Sequence, residues 1–211
     1  MPGSDSPPRA DAARNRERLL HAAGQALAEG DRSLQLNDIA RRAGVGVGTA
    51  YRHFPTPRAL LETLVQAQLD DVLDQARREL AAADPWSGLT RLLTTGIALM
   101  VTDPGFADVL ATGTDTLPRT GQLKHELYDT VDQLLRRVRD AGALRPGVDG
   151  DDILRLMCGV SYAARLAGDT GGPAGPLGPA EPVGPTAADP TAVGELAGRY
   201  AGWLLDGLRA P

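Results

Sequence analysis

The sequence is poor in cysteine, histidine and aromatic residues. Of its 211 residues, one is cysteine, three are histidine and 4% are Phe, Trp or Tyr. A single cysteine excludes a disulfide within the chain, which fits a reducing compartment and excludes the class of small disulfide-rich secreted proteins. Because aromatic residues are scarce, any hydrophobic core must consist mainly of Leu, Ala and Val.

Long apolar runs and the common catalytic motifs are also absent. No stretch approaches the ~18 apolar residues that a membrane helix needs, and the N-terminus lacks the apolar core of a secretory signal. None of His21, His53 and His125 lies in a nucleophile or metal-binding motif. We therefore expect a cytoplasmic protein that is not an enzyme, holds no metal or cofactor and does not bind a membrane.

Positive charge is concentrated near the N-terminus of an otherwise acidic chain. The formal net charge is −5, yet the first 60 residues carry nine arginines and six acidic residues. A basic segment on an acidic chain suggests contact with a polyanion. The excess of arginines over acidic residues in this segment is modest, so the charge alone supports this interpretation only weakly.

The apolar spacing predicts an all-α fold of about nine helices, since no segment shows the period-2 alternation of a β-strand. The predicted helices span residues 15–30, 36–43, 47–54, 57–83, 86–102, 106–112, 121–141, 149–167 and 190–208. Residues 1–13 and 168–190 are rich in small residues and proline. They predict a disordered N-terminal tail and a flexible Gly/Pro-rich linker.

Residues 36–54 have the pattern of a helix-turn-helix, in which two short helices meet at a tight turn. Gly44 supplies freedom for a positive φ at that turn. Ile39 and Ala40 of the first helix can face Ala50 and Phe54 of the second. Because the second helix of such a motif enters the DNA major groove, this pattern predicts a DNA-binding site.

The outer face of the second helix carries residues that suit DNA. Gly46 and Gly48 let the backbone approach closely, and the helix N-terminus favours a phosphate. Thr49 can donate to a phosphate or a base. Each residue also has an ordinary explanation as a surface or packing residue, so the prediction depends on the whole group. The candidate DNA-binding residues on this helix are Gly46, Val47, Gly48, Thr49, Tyr51, Arg52 and His53.

The segment LNDIARRAGVGVGTAYRHFPTPRALLETL, residues 36–64, resembles the DNA-binding domain of the tetracycline-repressor (TetR) family. The Ile-Ala-x-x-Ala-Gly-Val, Gly-Thr-x-Tyr and His-Phe-Pro elements carry the resemblance, which covers about the first third of the chain. The resemblance implies a homodimeric repressor that a small-molecule inducer releases from a palindromic operator. The implied domains are a helix-turn-helix domain at 14–60 and a ligand-binding and dimerisation domain at 61–211.

The sequence departs from the family pattern where the fourth helix opens. The family usually has a phosphate-binding lysine there, and this chain has Pro57. Arg58 follows and is a further candidate DNA-binding residue, although its side chain points about 100° further round the helix. The sequence therefore leaves open whether Arg58 replaces the lysine. Leu34 and Gln35 also stand where two threonines are common.

The last two predicted helices each carry a clean apolar stripe, which predicts that two subunits pair through them. The alternative is that both stripes are buried within the monomer. A two-fold dimer would bind half-sites one or more DNA turns apart, at ~34 Å per turn. The unknown small-molecule effector is expected in an aliphatic pocket, although each candidate is also an ordinary core residue. The candidate ligand-binding residues are Trp86, Met100, Phe106, Leu110, Leu127, Met157 and Tyr162.

An alternative function is a helical protein-interaction bundle that has the helix-turn-helix fold but binds DNA weakly or without specificity. The proline at position 57 keeps this alternative open. A steep loss of DNA affinity with salt would separate the two functions, since phosphate contacts release counterions. A regulator would be cytoplasmic, and associated with the nucleoid when bound to DNA.

Overall fold

A computed structural model of the chain describes residues 8–169 and 190–210. These residues form nine α-helices and one isolated antiparallel bridge between Leu144 and Arg209. The helices are α1 (Pro8–Ala28), α2 (Leu36–Ala43), α3 (Val47–His53), α4 (Pro57–Leu80), α5 (Pro85–Thr102), α6 (Pro104–Ala111), α7 (Pro118–Asp140), α8 (Gly150–Asp169) and α9 (Pro190–Leu208). The predicted all-α fold is confirmed. The first seven residues of the predicted tail and residues 170–189 of the predicted linker lie outside the described residues.

The largest difference from the predicted boundaries is the start of α1. This helix begins at Pro8, so residues 8–13 of the predicted tail are helical. Proline fits the first turn of a helix, and the three alanines that follow are strong helix formers. The segment was predicted to be disordered because it is polar and because apolar periodicity begins only at Leu19.

Two aspartates set the next helix starts. Asp84 accepts hydrogen bonds from the backbone N–H groups of Trp86 and Ser87, both at 3.2 Å, and so caps α5. Asp103 accepts from the N–H of Phe106 at 2.9 Å and caps α6. These caps explain why α5 begins one residue, and α6 two residues, before the predicted helix starts.

The described residues form two compact units. The first unit contains residues 8–67 together with Thr114–Gly121. The second unit contains Gln68–Gly113 and the described residues from Gln122 onward. The division falls inside α4, seven residues after the predicted domain boundary at 60.

The core of the first unit joins α1, α2 and α3. Leu19, Ile39 and Ala50 are fully buried, and Phe54 is 1% exposed. At the turn after α2, Gly44 adopts φ +61° and its N–H bonds back to the carbonyls of the last helical turn. This left-handed geometry ends α2 and starts α3 within three residues, as the glycine predicted.

The loop before α2 contains a non-glycine residue with positive φ. Leu34 has φ +44° and is 1% exposed, so its side chain is anchored in the core. Asp31 accepts hydrogen bonds from the N–H groups of Ser33, at 2.9 Å, and Leu34, at 3.3 Å. Gln35 is the N-cap of α2 but makes no side-chain capping hydrogen bond. The burial of Leu34 and the hydrogen bonds to Asp31 therefore hold this loop, and no side-chain cap at the start of α2 is needed.

The second unit is packed around α5, which contacts α6, α8 and α9. Its fully or nearly fully buried apolar residues include Leu89, Leu93, Ile97, Met100, Phe106, Val109, Leu134, Leu135, Ile153, Ala164, Ala197 and Ala201. Helix α7 holds the end of α6: Lys124 Nζ donates to the carbonyl of Val109 at 3.0 Å, and Tyr128 Oη donates to that of Leu110 at 2.9 Å. Among the described helices, none is long and apolar enough to cross a membrane.

Candidate nucleic-acid interface and effector cavity

Helix α3 displays one face and buries the other. Val47 and Tyr51, four residues apart, are each 46% exposed, whereas Ala50 is fully buried. Arg52 is exposed, and Thr49 and His53 are half-buried. The structure thus brings the candidate DNA-binding residues of α3 together on one accessible helix, with Gly46 as its N-cap.

The fold does not require glycine at the start of α3. A methyl group at Gly46 would come no closer than 3.8 Å to another side chain, and one at Gly48 no closer than 3.9 Å. Gly46 has φ −61°, which any residue can adopt. These two glycines therefore leave accessible backbone for which the packing of the first unit gives no reason.

Two arginines of α1 support α3, and sequence reasoning missed both. The guanidinium carbon of Arg16 lies 4.9 Å from the centroid of the Phe54 ring, a cation–π contact. Arg18 Nη1 donates to the carbonyl of Gly44 at 3.4 Å. A polar residue on a helix is usually interpreted as solvated, so the local sequence held no signal for either contact.

Arg58 has a partner within the first unit. Its Nε donates to Glu62 Oε1 at 3.0 Å, and the Arg58 side chain is 22% exposed. Glu62 is fully buried and also accepts from the backbone N–H groups of Thr116, at 2.8 Å, and Leu117, at 2.7 Å. The arginine thus has a structural partner, and a phosphate contact by Arg58 stays a prediction.

The buried carboxylate of Glu62 is held in its charged form. Burial by itself disfavours ionisation, but the hydrogen bonds from Thr116, Leu117 and Arg58 outweigh it, and the pKa of Glu62 is lowered. In the sequence, Arg58 and Glu62 look like an ordinary exposed (i, i+4) ion pair. Its partners at Thr116 and Leu117 are more than fifty residues away, which is why no local pattern revealed this site.

Four of the seven candidate ligand-binding residues line one cavity in the second unit. This inner cavity has a volume of about 60 Å³. The four are Phe106, Leu110, Leu127 and Met157, and the other lining residues are Val72, Leu92, Leu93, Gly96, Tyr128, Val131, Gly150, Ile153 and Leu154. The wall is apolar except for Tyr128, as the composition had predicted for an effector pocket.

The other three candidates lie elsewhere in the second unit. Met100 is 1% exposed and packs in the core without lining the inner cavity. Trp86 is half-buried, with its ring centroid 5.4 Å from the guanidinium carbon of Arg209. Tyr162 is 59% exposed. Periodicity marks apolar positions but does not distinguish core from cavity wall or outer surface.

A second cavity of about 280 Å³ adjoins the first. This outer cavity shares four lining residues with the inner cavity, Tyr128, Val131, Gly150 and Leu154. The rest of its lining is acidic: Asp132, Asp149 and Asp151. No sequence pattern had joined these carboxylates to the predicted pocket, because Asp132 belongs to α7 and the others to the start of α8.

Helices α8 and α9 leave large apolar side chains exposed. Trp203 is 63% exposed, and Leu156, Tyr162 and Leu166 are each more than 40% exposed. Leu156 and Trp203 line one open groove together with Val160, Ala163 and Leu204. We call the surface formed by the exposed residues Leu156, Tyr162, Leu166 and Trp203 the α8/α9 face. Exposed apolar patches of this kind mark interaction surfaces.

The tight glycine turn, the buried inner side of α3 and its accessible outer side define a helix-turn-helix protein. The model of bacterial regulatory proteins of the tetR family matches residues 19–64. The model of the C-terminal domain of SbtR-like transcriptional regulators matches residues 84–175. The two matches fall on the helix-turn-helix segment and on the segment that supplies most of the lining of both cavities.

Two similar proteins of known structure are also described as TetR regulators. A TetR transcription regulatory protein from Mycobacterium vanbaalenii is 34% identical, and the alignment covers 76% of this chain and 98% of that one, with a TM-score of 0.44. The TetR transcriptional regulator SCO0520 of Streptomyces coelicolor is 26% identical over 92% of this chain and 98% of its own, with a TM-score of 0.52. The chain belongs to the TetR family of transcriptional regulators, which confirms the predicted resemblance.

The curated relatives match over a shorter stretch. The HTH-type transcriptional regulator SAR0097 of Staphylococcus aureus strain MRSA252 is 31% identical over 80 residues, which are 37% of this chain and 42% of that protein. The chain therefore spans less than half the length of the curated relative that it matches.

Proposed function

We propose that the chain is a homodimeric repressor that binds a palindromic DNA operator and is released by a small-molecule effector. The observation that carries this proposal is the outward face of α3, where Val47, Tyr51 and Arg52 are exposed above the buried Ala50. Apolar, aromatic and cationic side chains on one accessible helix face can contact both base edges and phosphates. A DNA major groove accepts a helix of this width.

Each exposed residue of α3 then has a role on DNA. Tyr51 and Arg52 bond to phosphates, and Val47 and Thr49 contact base edges. Gly48 lets the backbone approach the DNA, which accounts for a glycine that the packing does not require. His53 and Gly46 lie at the margins of this surface, and Arg58 can reach a phosphate only if its contact with Glu62 allows it.

The second subunit of the proposed dimer pairs through the α8/α9 face. Trp203, Leu156 and Leu166 would be buried by a symmetry-related copy of the same face, as in a two-fold four-helix arrangement. Burying an exposed tryptophan and its neighbours supplies the kind of anchor on which stable interfaces depend. A two-fold dimer presents two copies of α3, so its operator is an inverted repeat.

The effector is proposed to enter the two adjoining cavities of the second unit. Their lining includes Phe106, Leu110, Leu127 and Met157, all predicted from the sequence as ligand contacts. A ligand changes the DNA affinity only if it binds the DNA-bound and the released forms with different affinities. We place the protein in the cytoplasm, associated with the nucleoid while bound to its operator.

A protein-interaction bundle with the same fold is not favoured. The family to which the chain belongs consists of transcriptional regulators. Such a bundle would also have no use for accessible backbone at Gly48.

The test is an electrophoretic mobility shift with DNA from upstream of the protein's own gene. Arg52→Ala should weaken the specific complex at least about tenfold, because it removes a phosphate contact. Arg145→Ala is the matched control: it removes the same charge at an exposed position of the second unit, outside α3. Equal losses in both variants would contradict the assignment of the interface to α3.

A second pair of variants tests the proposed backbone approach. Gly48→Ala adds a methyl group that fits the free protein, so any loss of affinity must come from a clash with DNA. Gly24→Ala makes the same change inside α1, also into open space. We expect the Gly48 variant alone to lose binding, and unchanged binding would remove close approach from the proposal.

A further inference from the structure

We infer that the effector buries an uncharged alkyl chain in the inner cavity, and that Met157 sets the length of chain that this cavity accepts. This inference rests on the proposed function, because it names the ligand class and a specificity-determining residue of the same site. It follows from the lining of the inner cavity and from the packing of one methionine against one glycine.

The lining of the inner cavity suits an aliphatic group. Eight of its thirteen residues are Leu, Ile or Val. Its one polar side chain is Tyr128, whose hydroxyl already donates to the carbonyl of Leu110 at 2.9 Å. A charged group or a hydroxyl placed there would lose its hydration without a compensating partner. The part of the effector that lies inside this cavity is therefore a hydrocarbon.

Met157 occupies space that a glycine leaves open beside the inner cavity. A methyl group at Gly96 would lie 2.7 Å from Met157 Cε, closer than two such carbons can approach. Gly96 is buried in the interior of α5, where glycine is less favourable than alanine. The bare backbone at this position therefore has a reason in the fold, since it makes room for the end of the Met157 side chain.

Met157 is also the adjustable part of the wall. At about 60 Å³ the inner cavity admits only a short alkyl segment as it stands. Met157 is the one long unbranched side chain in this lining, and methionine has three rotatable bonds with which it fills irregular spaces. Rotation of Met157 is therefore the simplest way to admit a longer chain. The gain ends when this side chain has moved aside, and further carbons of the ligand must stay outside.

The outer cavity leaves a place for the polar end of the ligand. It shares Tyr128, Val131, Gly150 and Leu154 with the inner cavity, and its aspartates are exposed to solvent. A hydroxyl group there keeps its hydration while the attached alkyl chain lies in the inner cavity. A molecule with one polar end therefore fits the two cavities, whereas a molecule with polar groups at both ends does not.

Isothermal titration calorimetry of the full chain tests this assignment with 1-butanol, 1-hexanol, 1-octanol and 1-decanol as probes. Two temperatures are used, because apolar burial releases little heat near room temperature. We expect the affinity to rise about fourfold for each added CH₂ group and then to stop rising at a limiting length. An affinity that rises without a limit would overturn the fixed cavity, and a failure of all four alcohols to bind would overturn the ligand class.

A diol tests whether the buried end must be apolar. 1,8-Octanediol has the chain length of 1-octanol, but its second hydroxyl would enter the inner cavity without a partner. We expect the diol to bind at least about tenfold more weakly than 1-octanol. Equal affinities would overturn the burial of an alkyl end.

Two buried methionines test which side chain sets the limit. Met157→Ala should raise the limiting length by about three carbons, one for each heavy atom removed from the wall. Met100→Ala is the matched control, because Met100 is 1% exposed in the same unit but lines neither cavity. The control should leave the limiting length unchanged. The same limit in both variants would overturn the role of Met157.

A glycine pair tests the same contact in the opposite direction and does not depend on the folding of Met157→Ala. Gly96→Ala should push Met157 into the inner cavity and weaken 1-octanol about tenfold. Gly24→Ala adds the same methyl group to α1, into open space, and should not change the affinity. Equal affinities of these two variants for 1-octanol would overturn the site.

The same probes separate this inference from the proposed function. A limiting length that Met157→Ala shifts supports the ligand class even if no DNA complex forms, which would count against the repressor alone. An operator complex that forms while none of the alcohols binds supports the repressor and overturns the ligand class.

Discussion

The two compact units place their candidate functional residues in opposite ways. The first unit buries the inner side of α3 in its core and displays Tyr51 and Arg52 outward on the same helix. The second unit leaves space inside, and the residues that we assign to the effector surround that space. A rigid polyanion such as DNA is met by a firm outer surface, whereas a small molecule must be enclosed. The candidate residues of the first unit therefore point outward, and those of the second unit point inward.

The strongest way to break the first unit is to remove an aromatic ring from its core. Phe54→Ala should lower the free energy of unfolding by about 3–4 kcal/mol, through lost burial and the cavity that remains. It also removes the contact with Arg16. Urea denaturation followed by circular dichroism measures the change.

Tyr51→Ala is the matched control for that experiment. It removes an aromatic ring three residues earlier, from a side chain that is 46% exposed. We expect its stability to stay within about 0.5 kcal/mol of wild type while its DNA binding is lost. Similar destabilisation by the two substitutions would contradict the division of α3 into a core face and a DNA face.

The next largest effect is expected at the buried carboxylate. Glu62→Gln should destabilise the chain by about 2–3 kcal/mol, because an amide replaces a charged acceptor of three hydrogen bonds. Glu17→Gln, at an exposed position of α1, should have almost no effect. Chemical denaturation at neutral pH compares them, and a cost as small as that of Glu17→Gln would mean that the Glu62 bonds contribute nothing net.

The lowered pKa of Glu62 predicts that the stability of the chain depends on pH. Because the pKa of Glu62 is lowered in the folded state, the unfolded chain takes up the proton first as pH falls. The stabilisation is complete above the ordinary glutamate pKa of 4.5 and is lost as pH falls from there through the lowered value. The stability difference between wild type and Glu62→Gln should therefore shrink below pH 4.5. A difference that grew in acid would contradict the direction of the shift.

The exposed face of the second unit is tested at Trp203. Trp203→Ala should weaken the proposed dimer by about 2 kcal/mol, or roughly thirtyfold in its dissociation constant. Sedimentation equilibrium across a range of concentrations measures it. Asp206→Asn, an exposed polar substitution on the same helix, serves as control. An unchanged association constant for Trp203→Ala would move the interface away from the α8/α9 face.

The smallest expected effect is a gain in stability. Gln35 is the N-cap of α2 without a capping hydrogen bond, so Gln35→Ser should stabilise the first unit by about 0.5–1 kcal/mol. Thermal unfolding would show a small rise in Tm. A fall would indicate that the loop held by Asp31 and the positive φ of Leu34 cannot accommodate a conventional cap.

The comparison of the units also explains what the sequence could predict. Helix α2 has the predicted bounds and α3 differs by one residue, because glycine, proline and short apolar spacing act locally there. The Glu62 site was missed because its partners lie in a distant segment. In the second unit, periodicity found the helices, but Tyr162, a candidate ligand-binding residue, is exposed. Local rules determine helices and turns, whereas cavities arise from contacts between helices that are far apart in the chain.

The most direct test of the account is the salt dependence of DNA binding. Fluorescence anisotropy with labelled upstream DNA, titrated at several salt concentrations, gives the slope of log affinity against log salt. A regulator that neutralises several phosphates through α3 should show a steep linear fall, and Arg52→Ala should make the slope shallower by about one. A flat slope, or one that Arg52→Ala does not change, would contradict the assignment of this helix to DNA.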